Sequence, residues 1–343
     1  MKLRLMLQML SLGLCAGNVQ ADAIFGVGAT FPNTIYQAWG KAYQAQTGEA
    51  LVYTPVGSGK GIAEIIASRT DFGATDKPLN QEELDKHQLM QFPAVVGGVV
   101  PAVNLKGIAS GQLLLDSNTL AAIYLGKITR WNDPLLQAIN PGLALPNAAI
   151  EVLYRSDKSG TTFNFTNYLS KANAEWKSVV GEGLSVNWKA GAGAEKTEGM
   201  TYKIASTPNS IGYLDLADLL KKNLAFVRMK NHDGEAVSPS AGSFAAAAAS
   251  AKWSASNNYY EILTDEPGKE SWPITAATFI LMERTVADTT HANAVLKFFD
   301  WAYRSGNQLA DSLHYVPLPA SVTDGIRGAW KTQVKDRAGK ALW

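Results

Sequence analysis

Four short polar segments contain residue types with which a protein can hold an anion. They lie at 28–31 (GATF), 57–59 (GSG), 75–76 (TD) and 155–161 (RSDKSGT). Hydroxyl groups and the free N–H groups of helix starts donate hydrogen bonds to oxygen, and glycine lets the main chain come close. Arg155 adds planar, permanently charged donors. Their shared composition suits a tetrahedral oxyanion.

Each segment alone is weak evidence, because small polar residues usually form turns and caps. The positions of the four segments strengthen the evidence for a binding site. The runs 51–54 (LVYT), 71–74 (DFGA) and 150–155 (IEVLYR) are typical of strands, and helices are predicted at 34–47, 61–69 and from 161 to about 170. The polar segments therefore follow strands or begin helices, where ligands bind in α/β proteins.

Strand-like and helix-like segments alternate beyond the first residues, which predicts an α/β fold. The 343 residues exceed what one small core needs and suit two lobes. Two apolar runs, 92–103 (FPAVVGGVVPAV) and 272–282 (WPITAATFILM), are predicted to cross between lobes. Lobe 1 would then comprise 22–97 and 278–343, and lobe 2 would comprise 104–271, with hinges near 98–103 and 272–277. Two ordinary buried strands would produce the same pattern.

The charge balance excludes partners that need a basic surface. The chain has 31 Lys and Arg against 30 Asp and Glu, and Lys2 and Arg4 are the only charges in the first 21 residues. Without those two the balance is 29 against 30. We therefore expect no binding to nucleic acid, and any bound anion must be held by local geometry.

The first 21 residues have the features of an export signal: a basic start, a short apolar stretch from Leu5 to Ala16, and small residues around a cleavage point near Ala21. We expect export from the cytoplasm and a mature chain that begins near Asp22. Cys15 is the only cysteine, so the mature chain would have neither disulfides nor thiol chemistry. In the preceding Leu12-Gly13-Leu14, the bulky Leu14 stands where lipid-anchor sites usually have a small residue, which argues against a lipid anchor on Cys15.

The sequence contains no complete motif among the enzyme motifs considered. The Gly59-Lys60 pair lacks the first glycine and the hydroxyl residue of a nucleotide phosphate loop, and no G-x-S-x-G elbow occurs. The histidines do not have metal-ligand spacing; they are His87, His232, His291 and His314. We predict no catalytic residue, no metal and no cofactor.

The segments named above also resemble a known family. GATFP at 28–32, GSG at 57–59, DFGATD at 71–76 and RSDKSGTTFNFT at 155–166 resemble the periplasmic phosphate-binding proteins of phosphate-specific ABC transporters. The resemblance extends to FPAVVGGVVPAVN at 92–104, IYLGKITRW at 123–131, WPIT at 272–275 and FFDWAY at 298–303. It thus covers nearly the whole mature chain and implies the two-lobed (type II) periplasmic binding protein fold, with the ligand cleft between the lobes.

The resemblance implies a set of phosphate contacts. Asp76 would accept a hydrogen bond from a proton on phosphate, and Arg155 would pair with phosphate oxygens while Asp157 holds the guanidinium. The remaining donors would be Thr30, Phe31, Ser58, Ser159, Gly160 and Thr161. The chain departs from the family's small-residue run at Lys60, which we expect to point to solvent.

The resemblance also implies a function: a non-enzymatic receptor that delivers inorganic phosphate to the membrane permease of an ABC importer. A monomer is the default expectation for the oligomeric state. A receptor of the same fold for sulfate or molybdate is the main alternative, followed by a secreted phosphatase or a structural role. Asp76 distinguishes a phosphate receptor from a sulfate receptor. Phosphate keeps a proton near neutral pH, whereas sulfate would place a bare oxygen against the carboxylate.

Overall fold

Strands and helices alternate in the computed structural model, which describes residues 23–343. The predicted export signal at 1–21 lies outside the described residues. The strands are β1 (Ile24–Gly28), β2 (Leu51–Pro55), β3 (Phe72–Thr75), β4 (Leu89–Asn104), β5 (Leu114–Leu115), β6 (Glu151–Arg155), β7 (Ala192–Ala194), β8 (Ser210–Asp215), β9 (Ala225–Phe226), β10 (Arg228–Lys230), β11 (Ala236–Val237), β12 (Thr275–Glu283), β13 (Thr285–Val286) and β14 (Lys335–Asp336).

The helices pack around these strands, and a 3₁₀ turn lies at Ala255–Asn257. They are α1 (Asn33–Thr47), α2 (Ser58–Ile66), α3 (Gln81–His87), α4 (Ser117–Tyr124), α5 (Pro134–Ile139), α6 (Gly160–Ala172), α7 (Ala174–Val179), α8 (Lys196–Ser206), α9 (Leu216–Lys221), α10 (Ala241–Ala248), α11 (Thr289–Ser305), α12 (Asn307–Ser312) and α13 (Ala320–Gln333). Among residues 23–343 no helix is long and apolar enough to cross a membrane. The predicted α/β class is confirmed.

The largest sheet has the order β2-β1-β3-β12-β4-β8-β6-β7, with β9 added beside β4. Strand β1 is parallel to β2 and β3, and β6 is parallel to β7 and β8. Strands β12 and β4 run antiparallel to their neighbours between these two groups. The parallel strands that precede the polar segments therefore occur in both halves of the sheet.

Strand β4 joins the two halves. It pairs with β12 over residues 89–98 and with β8 over residues 99–104. All of its 16 residues are buried except Asn104, which is partly exposed. Burial on both faces explains why the strand is a nearly continuous apolar run rather than an alternating one.

Local sequence signals account for most helix boundaries. Helix α1 buries Ile35, Trp39 and Tyr43 and ends at Gly48 in the left-handed conformation, as its sequence predicts. Helix α2 differs, because it begins at Ser58, directly after Gly57, rather than at 61. The Gly59 amide donates to the Lys158 carbonyl at 3.0 Å, so a distant segment supports this glycine-rich first turn.

Candidate anion-binding site

The four polar segments meet at the carboxyl ends of β1, β3 and β6. The Ala29 amide donates to the Ala74 carbonyl at 2.9 Å, which holds the segment after β1 against the end of β3. The Ser58 hydroxyl oxygen lies 3.1 Å from the amide of Gly160 and 3.2 Å from that of Asp76. These bonds join segments that are up to 102 residues apart in sequence.

The polar residues predicted for the site are almost completely buried. Exposed fractions lie between 0 and 5% for Thr30, Phe31, Ser58, Asp76, Arg155, Ser159 and Thr161, and Gly160 is buried as well. Burial of unpartnered polar groups is costly. A cluster of this polarity in the interior therefore indicates a site whose partner is a polar or charged ligand.

Arg155 and Asp157 form a two-point ion pair. The Arg155 Nε and Nη2 atoms donate to Asp157 Oδ1 and Oδ2 at 2.7 and 2.6 Å, and the Lys196 amide donates to Oδ1 at 3.0 Å. Burial alone would raise the pKa of Asp157, but these bonds outweigh it and hold the pKa below its ordinary value. Nη1 remains outside the pair, so the oriented guanidinium keeps donors for a ligand.

The Ser58 hydroxyl oxygen accepts hydrogen bonds from two backbone amides. Its oxygen accepts from the amides of Asp76 and Gly160, so its proton can donate to a further acceptor, and Ser58 also lowers the pKa of the Asp76 carboxyl. Gly160 permits this close approach, since a Cβ at that position would lie 2.4 Å from Ser58 Oγ. Any side chain at residue 160 would force α6 away from α2.

Asp76 is the buried acceptor of the cluster. Its Oδ1 accepts from the Thr278 hydroxyl at 2.6 Å, whereas Oδ2 is buried with no hydrogen-bond partner within the described chain. Burial raises the pKa of Asp76 to about 7, although Thr278, Arg155 and Ser58 each act to lower it. An unpartnered carboxylate oxygen in the interior is an acceptor for a ligand that carries a proton.

Three helix starts contribute to the same region. Thr30 and Phe31 precede α1, Ser58 begins α2, and Ser159 caps α6 by accepting from the Thr162 amide at 3.3 Å. The first amides of a helix lack partners within the helix, and the helix dipole favours negative charge there. The site therefore combines neutral donors with one guanidinium cation.

Sequence reasoning missed three supporting residues. Thr278 orients Asp76, Asn164 donates to the Asp76 carbonyl at 2.8 Å, and Thr197 lies 2.8 Å from Thr30 between their hydroxyl oxygens. Asn164 and Thr278 lie within the segments 155–166 and 272–282 that the sequence singles out, but neither has a local signal for its partner. Lys60 is exposed.

The described residues contain no group of three or more His, Cys, Asp or Glu that could hold a metal ion. A cavity of about 600 Å³ lies beside Thr30 and Thr197, with Lys196, Lys221 and Lys222 in its wall. The contact between the two threonine hydroxyls lies at its boundary. Of the residues predicted for the site, only Thr30 is in the wall of this cavity.

Comparison with known proteins identifies the family. The model of the PBP superfamily domain matches residues 16–305. The phosphate-binding protein PstS of Pasteurella multocida is 47% identical over 340 residues, which cover 99% of each chain. The protein of that name from Haemophilus influenzae is 49% identical over 316 residues, 92% of this chain and 95% of the relative.

Solved structures agree on the fold. A high-affinity periplasmic phosphate-binding protein (PfluDING) bound with phosphate matches with a TM-score of 0.73 at 23% identity, over 90% of this chain and 93% of its own. The phosphate-binding protein of Stenotrophomonas maltophilia matches with a TM-score of 0.68 at 19% identity, over 92% and 96%. The predicted two-lobed fold is confirmed, and the chain belongs to the PBP superfamily and, within it, to the family of the PstS phosphate-binding proteins.

Proposed function

We propose that this chain is an extracytoplasmic receptor that binds one inorganic phosphate ion and delivers it to an ABC importer. The observation that carries the proposal is Asp76 Oδ2, a buried carboxylate oxygen without a partner within the described chain, in a cluster that otherwise presents donors. Phosphate can donate a proton to this oxygen and accept from the surrounding groups. Relatives that are named phosphate-binding proteins support the same ligand.

The proposed ligand set divides into three roles. Asp76 accepts from the phosphate proton, and Arg155, held by Asp157, pairs with phosphate oxygens. The hydroxyl and amide groups at the three helix starts supply the remaining donors, from Thr30, Phe31, Ser58, Ser159, Gly160 and Thr161. This arrangement stabilises the charge of the ion mainly through neutral hydrogen-bond donors, and it has no role for a nucleophile or a metal.

The partners of the receptor follow from the same proposal. It acts as a monomer in the periplasm after removal of residues 1–21, and it docks on the membrane permease of a phosphate importer. It binds ligand and performs no catalysis.

The proposed lobes are 22–97 with 278–343 and 104–271, hinged near 98–103 and 272–277. Strand β4 changes partner between Gly98 and Val99, from β12 to β8, which supports a crossing there. The hydrogen bonds between the proposed lobes include one that the Gly160 amide donates to the Ser58 hydroxyl oxygen at 3.1 Å and one that the Thr34 hydroxyl donates to Asp218 Oδ1 at 3.1 Å. We interpret the structure as the closed arrangement, since donors from both lobes surround the cluster.

Titration calorimetry tests the ligand. Phosphate-stripped protein comprising residues 22–343 is expected to bind one phosphate with micromolar or tighter affinity, because many donors surround a desolvated ion. Millimolar sulfate is not expected to compete at alkaline pH, where Asp76 is ionised. Tight sulfate binding together with weak phosphate binding would contradict the proposal.

Small-angle scattering tests closure. Because phosphate touches both proposed lobes only when they meet, loaded protein is expected to show a smaller radius of gyration than empty protein. The loaded profile should match the profile calculated from this structure. Addition of sulfate is the matched control and should leave the profile of the empty protein unchanged. Identical profiles with and without phosphate would leave a rigid, preformed cleft.

A further inference from the structure

Thr278 reaches Asp76 from a part of the chain that lies 202 residues away in sequence. Its hydroxyl donates to Asp76 Oδ1 at 2.6 Å, and its side chain is completely buried. The contact arises from the sheet, since β12 is antiparallel to β3 and pairs Phe279 with Thr75, the residue before Asp76. A shift of the β12–β4 register occurs between Thr278 and Phe279. Such irregularities often re-aim a side chain near a functional site.

We propose that Thr278 is a specificity-determining positioning residue, which favours the carboxylate form of Asp76, with one carboxylate oxygen occupied and the other turned to the ligand. The inference rests on the proposed function and extends it. A hydroxyl that donates to Oδ1 stabilises the carboxylate form of Asp76 and leaves Oδ2 as the acceptor for a ligand proton. Phosphate supplies that proton and sulfate does not.

Loss of the hydroxyl would change which ion the site accepts. Without Thr278 the buried Asp76 keeps its proton more readily, because burial is then opposed by fewer stabilising bonds. A protonated Asp76 donates a hydrogen bond, so it can satisfy a bare sulfate oxygen. The site would then no longer prefer phosphate, which carries a proton, over sulfate.

Other charged and titratable groups also act on Asp76. Arg155 lowers its pKa, and electrostatic coupling links it to Asp215 and to the phenols of Tyr36, Tyr53 and Tyr315. All of these groups stay in place when residue 278 alone is changed. A difference between variants at 278 therefore reports the hydroxyl.

The test compares phosphate and sulfate affinities of wild type, Thr278→Val and Thr278→Ser by calorimetry between pH 6 and 9. Valine keeps the shape and removes the donor, so the ratio of phosphate to sulfate affinity is expected to fall by about tenfold in the alkaline part of this range, where Asp76 of wild type is ionised. The curve of sulfate affinity against pH should shift to higher pH by about one pH unit. Thr278→Ser, which restores the hydroxyl, should return both the ratio and the curve towards wild type.

Thr323→Val is the matched control, because Thr323 is also a buried threonine of the proposed lobe 1 but lies on α13 and donates to the Ala320 carbonyl at 3.0 Å. Its affinity ratio and pH curve are expected to match wild type. If Thr278→Val folds poorly, Thr278→Ala should shift the ratio in the same direction. A wild-type ratio in a folded Thr278→Val or Thr278→Ala variant, or an equal shift in Thr323→Val, would overturn the inference. Failure of wild type to bind phosphate would instead contradict the proposed function.

Discussion

Replacement of Arg155 with alanine is expected to weaken phosphate binding by about 3–5 kcal/mol, a loss of roughly two to four orders of magnitude in affinity. Arg155 is 1% exposed and contributes the guanidinium of the cluster. Its substitution removes direct donors and also leaves Asp157 as an uncompensated negative charge beside the anion. Both effects act against phosphate, and calorimetry measures their sum.

Two further variants separate these effects. Asp157→Ala removes the orienting carboxylate but keeps the cation, so affinity should fall by less than in Arg155→Ala. The double variant should recover part of the stability that Arg155→Ala loses, because no buried charge is left without a partner. Arg304→Ala, which removes a largely exposed guanidinium, is the matched control and should bind as wild type. Near-normal affinity of Arg155→Ala would contradict the assignment.

The sequence identifies the residues of the cluster better than it identifies their supports. The segments that contain Thr30, Ser58, Asp76 and Ser159 were predictable because strand ends and helix starts have local signatures, whereas the choice of these individual residues came from the resemblance to the family. The structure brings these residues together at the ends of β1, β3 and β6. Their roles toward phosphate stay predictions until binding is measured.

Supports such as Thr278 were not predictable, because their function depends on strand register. Which residue of β12 lies beside Asp76 is decided by the antiparallel pairing of β12 with β3 and by the irregularity at Phe279. A shift of one residue would turn Thr278 to the other face of the sheet. No local pattern specifies such a long-range register.

The start of α2 shows the same limit. Glycines at 57, 59 and 61 favour a turn over a helix when only local propensity is considered. In the structure the helix begins at Ser58, and the Gly59 amide is satisfied by the Lys158 carbonyl from the segment that carries Arg155. Tertiary contact therefore overrides propensity at a point where glycine is needed, since a Cβ at residue 59 would lie 2.5 Å from Lys158 Cβ.

Asp76→Asn is expected to raise sulfate affinity by about a hundredfold at alkaline pH while it reduces phosphate affinity much less. Asparagine keeps the size of the side chain and offers an amide donor to a bare oxygen, so the repulsive carboxylate that excludes sulfate is gone. Thr278 can still donate to the amide oxygen. Competition calorimetry with both ions measures the change in the ratio.

The pH dependence of the two proteins gives the sharper contrast. In wild type, sulfate can bind well only after Asp76 takes up a proton, so sulfate affinity should rise as pH falls, by up to about tenfold per unit. Asp76→Asn has no such proton to gain, and its sulfate affinity should stay flat over the same range. A wild-type slope in Asp76→Asn would show that another group couples sulfate binding to pH.

The stability of the ligand-free protein provides an independent test of the direction of the Asp76 pKa shift. Burial raises the pKa of Asp76 from its ordinary value of 3.8 to about 7, so the folded state holds this proton more tightly than the unfolded state. The contribution of Asp76 to stability is therefore fully present below pH 3.8, declines as pH rises towards 7, and is lost above that value. Asp76→Asn removes this term, so its melting temperature should exceed that of wild type by a margin that grows from pH 5 to pH 8. An equal or shrinking margin over that range would mean that Asp76 is ionised in the folded protein at low pH, and the carboxylate would then need a stronger partner than Thr278 and Arg155 provide.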